Sequence, residues 1–127
     1  MRLGAHISIS GGIEISPARA SNIGCDVFQV FSHNQVQWKF PPLKEGQNIK
    51  FQEELKQHGF PAPVIHCSYL LNLCADNEST LKKSCIALKE EFFRASELGV
   101  SWLILHPGAA RSRPVDEAVG LIHDNLA

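Results

Sequence analysis

Four short runs rich in β-branched and aromatic residues divide the chain: Arg2 to Ile7, Asp26 to Phe31, Ala62 to His66 and Ser101 to His106. Runs of this kind, closed by Gly, Pro or Asn, read as buried strands. Helical patterns lie between them. The clearest spans Glu78 to Leu98, where Leu81, Cys85, Leu88, Phe92 and Ala95 repeat at helical spacing and Gly99 stands as the C′ residue. A first helix opens around Ser16-Pro17, a cap residue followed by a Pro suited to the first helical position, and ends near Gly24. A second covers Asn48 to His58, with Ile49, Phe51 or Gln52, and Leu55 on one side and Gly59 after it. A last begins near Pro114, with Val115, Ala118, Val119, Ile122 and Leu126 on one face, and the sequence stops in mid-pattern.

Strand-then-helix repeated in this way implies an α/β fold with parallel strands and right-handed crossovers. Two architectures fit: a small open doubly wound sheet, or the first four βα units of a (β/α)8 barrel. The length decides how much of a barrel there is room for. A complete barrel needs about 250 residues, so these 127 residues form one domain, 1–127, and at most an incomplete barrel. No linker or shift of composition divides them.

Charge narrows the partners little. Lys and Arg number 12 against 13 Asp and Glu, so no basic footprint marks the whole domain for nucleic acid, although a local patch is compatible with that balance. The longest apolar stretch, Val100 to Leu105, is too short to span a bilayer. With no charged-then-apolar leader, the expectation is a cytoplasmic protein without membrane contact. Cys25, Cys67, Cys74 and Cys85 form no CxxC pair and are expected as reduced, mostly buried thiols. Ser10-Gly11-Gly12 lacks the GxGxxG spacing of dinucleotide sites.

The histidines fall where such folds do chemistry. His6, His33, His66 and His106 all lie at or just beyond strand C-terminal ends, the edge at which parallel α/β proteins bind ligands. His66 and His106 end consecutive strands, which lie about 4.8 Å apart. Two imidazoles so placed can share one zinc, whose usual set is four ligands. Equally, a strand-end His can simply bond a nearby carbonyl. His33 reads as a polar loop residue, and His58 and His123 as surface residues.

After the second strand, Asn34-Gln35-Val36-Gln37-Trp38 offers amides that read base edges and an aromatic that stacks, while Trp38 serves equally well as a small apolar lid. Tyr69 is similarly open between duplex insertion and inward packing. Glu90 and Glu91 read as a solvated helix face. Asp116 and Glu117 suit a first helical turn, and Arg111 and Arg113 a solvated loop.

Taken together, Gly-Ala-His-Ile-Ser at 4–8, Gly11-Gly12, Phe31 with Asn34-Gln35-x-Gln37-Trp38, His66-x-Ser68-Tyr69-Leu70-x-Asn72-Leu73, Leu98-Gly99 and His106-Pro107-Gly108 resemble the endonuclease IV family. The resemblance runs almost end to end, in order. It implies the N-terminal half of a xylose-isomerase-like TIM barrel from a zinc-dependent apurinic/apyrimidinic endonuclease, which cleaves the phosphodiester 5′ to abasic sites in base excision repair with three zinc ions at its rim. By position, His66 and His106 match ligands of one zinc, and His6 matches a rim histidine near the site. Gln35, Gln37, Trp38 and Tyr69 match positions near the DNA. Two positions depart from the family: Val36 stands where Arg is frequent, and Cys67 where Asp is frequent.

The family's remaining ligands come from the fifth to eighth strands, and no residue here matches them. The expectation is therefore a fragment with little activity alone, with no catalytic residue assigned within it. Two other readings stand beside it: a sugar isomerase or epimerase on a related barrel, and a non-catalytic half-barrel that self-associates through its exposed sheet edges.

Overall fold

Strands β1 (Gly4–His6), β2 (Val27–Phe31), β3 (Val64–His66) and β4 (Leu103–Ile104) lie side by side in chain order, each pair of neighbours parallel. This is the arrangement in a computed structural model that describes residues 1–127. The unbroken order distinguishes the two architectures, because a doubly wound sheet reverses its strand order at a switch point and this one does not. The sheet is a run of four adjacent barrel staves, open at both edges.

Each strand is shorter than its apolar run suggested. Residues such as Arg2, Ser101 and His106 fall outside the ladder, where they flank the strands as loops. Register then separates the two faces. Phe28, Val30 and Ile65 alternate toward the helices and are all but buried, while Gln29, Phe31 and His66 alternate to the concave side. Against the first set pack Ala20 of α1 (Ser16–Asn22), Phe51 and Leu55 of α2 (Gln47–Gln57), and Ala95 and Leu98 at the end of α3 (Glu78–Glu97). A second cluster, Cys67, Leu71, Leu73, Ala87 and Leu88, sits under the loop after β3 and touches Ile122 of α4 (Val115–Leu126).

Several helix details differ from the sequence pattern. A 3-10 turn at Ile13–Ile15 precedes α1, so Ser16 is its first residue and not its cap; its hydroxyl donates back to the Ile13 carbonyl at 2.6 Å. On α2, Ile49 points to solvent. On α3 the buried face is Ser84, Ala87, Leu88, Glu91, Arg94 and Ala95, whereas Phe92 is 57% exposed and Leu81 and Cys85 are half-buried. The solvated reading therefore fails for Glu91 but holds for its exposed neighbour Glu90. On α4 only Ala118 is buried; Val115, Val119 and Leu126 are exposed. Those apolar side chains follow a helical stripe, yet no further element of the chain covers it.

Gly99 adopts the left-handed φ of 66° after Leu98, as its place beyond a helix end requires. No helix is long and apolar enough to cross a membrane. All four cysteines are free thiols, with Cys67 and Cys74 buried.

Candidate functional site

The concave rim gathers five rings. Phe31 pairs with His66 in the β2–β3 register, which brings His66 to the top of its strand, and His106 follows β4 next door. Ring centroids of His66 and His106 are 5.1 Å apart, and Tyr69 lies 5.1 Å from the former and 5.6 Å from the latter. His6 completes the group from β1, 4.3 Å from Phe31 and 6.2 Å from His66. Burial, and then the charge of His66, lowers the His6 imidazole below its ordinary value.

The two candidate metal ligands differ in exposure. His66 is buried, and His106 is open to solvent. The Nδ1 of His66 lies 2.7 Å from the Cys67 carbonyl. A carbonyl can only accept, so Nδ1 carries the proton and Nε2 keeps its lone pair. A metal-ligating imidazole is fixed in this same manner by a bond from its other nitrogen. The donor set thus suits zinc at two positions. It suits no more than two, since no group of three His, Cys, Asp or Glu side chains converges anywhere in the chain. Cys67, at the position where Asp is frequent in the resembling family, is 1% exposed, and burial pushes its thiol up to about 12.

Beside the rings runs a cleft of about 710 Å³ lined by Trp38, Tyr69, Asn72, Asn77, His106 and Arg111, among others. Tyr69 is 63% exposed at its mouth. Trp38 is half-buried against the Cys67–Leu88 cluster, so it packs as an apolar wall of the cleft and shows only part of its ring. Of the amides, Gln37 is exposed and Gln35 half-buried. Asn72 braces the far side: its Oδ1 accepts from the amides of Cys74 at 3.1 Å and Ala109 at 3.3 Å, and its Nδ2 donates to the Ala109 carbonyl at 3.2 Å. That brace ties the loop after β3 to the loop carrying His106.

Beneath the rim is a buried polar cluster that local sequence did not reveal. His33, expected as a polar loop residue, is 4% exposed; its ring stacks 3.7 Å from Phe40 and its Nε2 bonds the Gln37 carbonyl at 3.2 Å. Burial lowers its imidazole value, the Gln37 bond opposes this, and Arg94 adds to the lowering. Glu91 lies 3.6 Å from the His33 Nδ1 and accepts from the Ser32 hydroxyl at 2.5 Å and the Ser68 amide at 3.2 Å. Its burial raises the carboxyl above the ordinary range, against the pull of those donors and of Arg94. The spacing Glu91-x-x-Arg94 on a helix was the available signal, since residues three apart share a face. His58 is half-buried and lies 3.6 Å from Glu54; His123 is exposed. Arg113 is half-buried beside Asp76 and Glu117, whereas Arg111 is exposed.

Comparison with known proteins agrees with this geometry. Residues 17–127 match the family described as xylose isomerase-like TIM barrel. The chain is 40% identical over 111 residues to a protein named "Probable endonuclease 4" from Thermoplasma acidophilum, covering 87% of this chain and 40% of that protein. It superimposes on endonuclease IV from Thermus thermophilus with a TM-score of 0.83 and 28% identity, over 99% of this chain and 46% of that one. A 3-keto-D-glucoside 4-epimerase from E. coli shares the fold, with a TM-score of 0.68 at 14% identity over 99% of this chain and 49% of the other. The chain spans less than half the length of the curated relatives it matches.

Proposed function

This chain belongs to the xylose isomerase-like TIM-barrel family, and we propose that it is the DNA-reading part of a zinc-dependent endonuclease that hydrolyses the phosphodiester 5′ to abasic sites in base excision repair, in the cytoplasm. The observation that carries this reading is the cluster of His66, His106 and Tyr69 within 5.6 Å of one another at the strand C-terminal edge, next to the loop of Gln35, Gln37 and Trp38. Residues 1–127 act as one domain, an incomplete barrel.

Within that domain, His66 and His106 would hold one zinc, and His6 stands near them as a rim residue. Zinc supplies Lewis-acid charge for phosphodiester hydrolysis. The chain's own side chains do the rest of the recognition. The Cys67 carbonyl engages the His66 Nδ1 and leaves Nε2 as the nitrogen available to a metal. Tyr69, backed by Phe31 and both imidazoles, presents an exposed ring able to fill the gap that a missing base leaves in a duplex. Gln35 and Gln37 offer amide groups to base edges and sugars, and Trp38 walls the cleft beside them. Two imidazoles leave zinc positions that no other side chain of these residues fills. The chain alone is accordingly nearly inactive, and its open β1 and β4 edges favour self-association.

The epimerase neighbour shares the fold at 14% identity, whereas the curated relative named endonuclease 4 is 40% identical over 111 residues. The test is binding of the 127-residue chain to a duplex with a tetrahydrofuran abasic analogue and to the intact duplex. The expected result is a preference for the abasic duplex that Tyr69→Ala removes, with incision close to background. Equal binding to both duplexes would overturn the DNA reading, and chelator-sensitive incision by this chain would overturn its dependence on further ligands. Turnover of ketohexoses would shift the assignment to an epimerase.

A further inference from the structure

We infer that Glu91 and Arg94 of α3 are positioning residues that lock the loop after β2 to the loop after β3, and so set the spacing between Gln35–Trp38 and Tyr69 on which discrimination of abasic DNA depends. This deepens the proposed function and rests on it for the identity of the ligand.

The inference comes from where the hydrogen bonds go. Glu91 is fully buried and Arg94 is 6% exposed. A buried carboxylate is costly unless it is bonded, so on a helix face otherwise made of Ser84, Ala87, Leu88 and Ala95 this pair depends on its polar partners. Their partners are almost all groups of the two rim loops. The Oε2 of Glu91 accepts from Ser32 and its Oε1 from the amide of Ser68, so one carboxylate bridges both loops. Arg94 donates to the carbonyl of Ser32 at 3.1 Å and to that of Pro41 at 2.5 Å, holding the first loop on either side of Gln35–Trp38. His33 bonds the Gln37 carbonyl between those two points. Finally the Ser68 hydroxyl donates to the Gln35 carbonyl at 2.6 Å, joining the loops directly one residue before Tyr69.

The geometry makes the pair a clamp whose jaws are α3 and the two loops. Neither residue touches the cleft, so neither is expected to contact DNA. Replacing Glu91 by Gln keeps the volume but puts an amide N–H₂ where one of the two donors points, and one bridge is lost.

The experiment is native-state hydrogen exchange on the chain and on Glu91→Gln, followed by duplex binding. The amides of Val36, Gln37, Leu70 and Leu71 make hydrogen bonds internal to the two loops. Their exchange is expected to rise about tenfold in the variant, in keeping with loss of a bond to a charged group, while the amides of Phe51 and Leu55 stay unchanged. The ratio of abasic to intact affinity is expected to fall about tenfold, with affinity for intact duplex unaltered. Unchanged loop exchange, or an equal rise in α2, would overturn the clamp. Faster loop exchange with an unchanged affinity ratio would overturn its role in recognition. Should Glu91→Gln fail to fold, Ser32→Ala removes one of the same bonds and is read at Val36 and Gln37. If the unaltered chain shows no abasic preference, the proposed function fails, while the exchange pattern still decides the clamp.

Discussion

Across the β3–β4 ladder the imidazoles of His66 and His106 face each other at 5.1 Å between ring centroids, their planes inclined by 42°. With the His66 Nδ1 engaged by the Cys67 carbonyl, a cation between the rings would meet Nε2 of His66 and one nitrogen of His106. Four-ligand structural sites bind zinc with ~10–16 kcal/mol. Two ligands should supply roughly half of that, a Kd between about micromolar and submillimolar. Titration calorimetry with zinc is expected to show this weak binding, and His66→Ala or His106→Ala should each abolish it. Zinc uptake that survives either substitution would place the metal elsewhere.

Val36 is 69% exposed in the middle of the candidate recognition loop. A side chain there reaches solvent, and introducing Val36→Arg adds a cation without disturbing a core. One new phosphate contact steepens the dependence of log affinity on log salt by about 0.9. Duplex binding measured from low to moderate salt should therefore show tighter binding and a steeper slope in the variant. An unchanged slope would mean that this loop does not approach the phosphates.

Much of this arrangement was legible in the sequence because it obeys local periods. The four strands and the helix after Asn77 follow from runs and spacings within a few residues, and His66 and His106 meet because the unbroken strand order makes β3 and β4 neighbours. Two things were not legible. Phe92 fits the apolar stripe of α3, yet it lies with Trp102 and Leu126 along an open apolar groove, because the buried face is rotated toward Ala87, Leu88 and Glu91. Glu91 looks solvated beside Lys89 and Glu90 since its partners are remote. Ser32 is 59 positions away and Ser68 is 23, and only the folded sheet brings both to one carboxylate.

Gly108 connects the loop of His106 to the Asn72 brace. Its φ is 144°, and a Cβ there would clash with the Asn72 Oδ1 and meet the Cys74 Sγ at 3.1 Å. Gly108→Ala must strain the backbone and displace the oxygen that holds Cys74 and Ala109. A loss of roughly 1–3 kcal/mol in denaturant unfolding is expected, with weaker zinc binding as the His106 loop shifts. Gly24 provides the comparison, since its φ is 76° but nothing lies within 4 Å of an added Cβ. Gly24→Ala should cost only the conformational penalty of about 1–2 kcal/mol and leave zinc binding as it was. Equal effects on zinc binding would remove the Asn72 contact as the cause.

His33 gives the fold a pH dependence of definite sign. Its imidazole titrates below the ordinary 6.5 in the folded chain because burial disfavours the charged ring and Arg94 adds to this, the Gln37 bond opposing. On acidification the unfolded chain therefore takes up the proton first. The contribution of His33 to stability is complete above pH 6.5 and declines as the pH falls through that value toward the lower folded one. Glu91 acts with the opposite sign from its own ordinary value of 4.5 upward, since a raised carboxyl value favours the fold in acid and that advantage fades as the pH rises. Thermal unfolding of the chain and of His33→Gln between about pH 5 and pH 8 separates the two, because only the His33 contribution is removed. The variant should lose less stability than the unaltered chain as the pH drops below 6.5. Parallel curves would show that His33 carries the same proton affinity folded and unfolded, and that its burial against Phe40 does not perturb it.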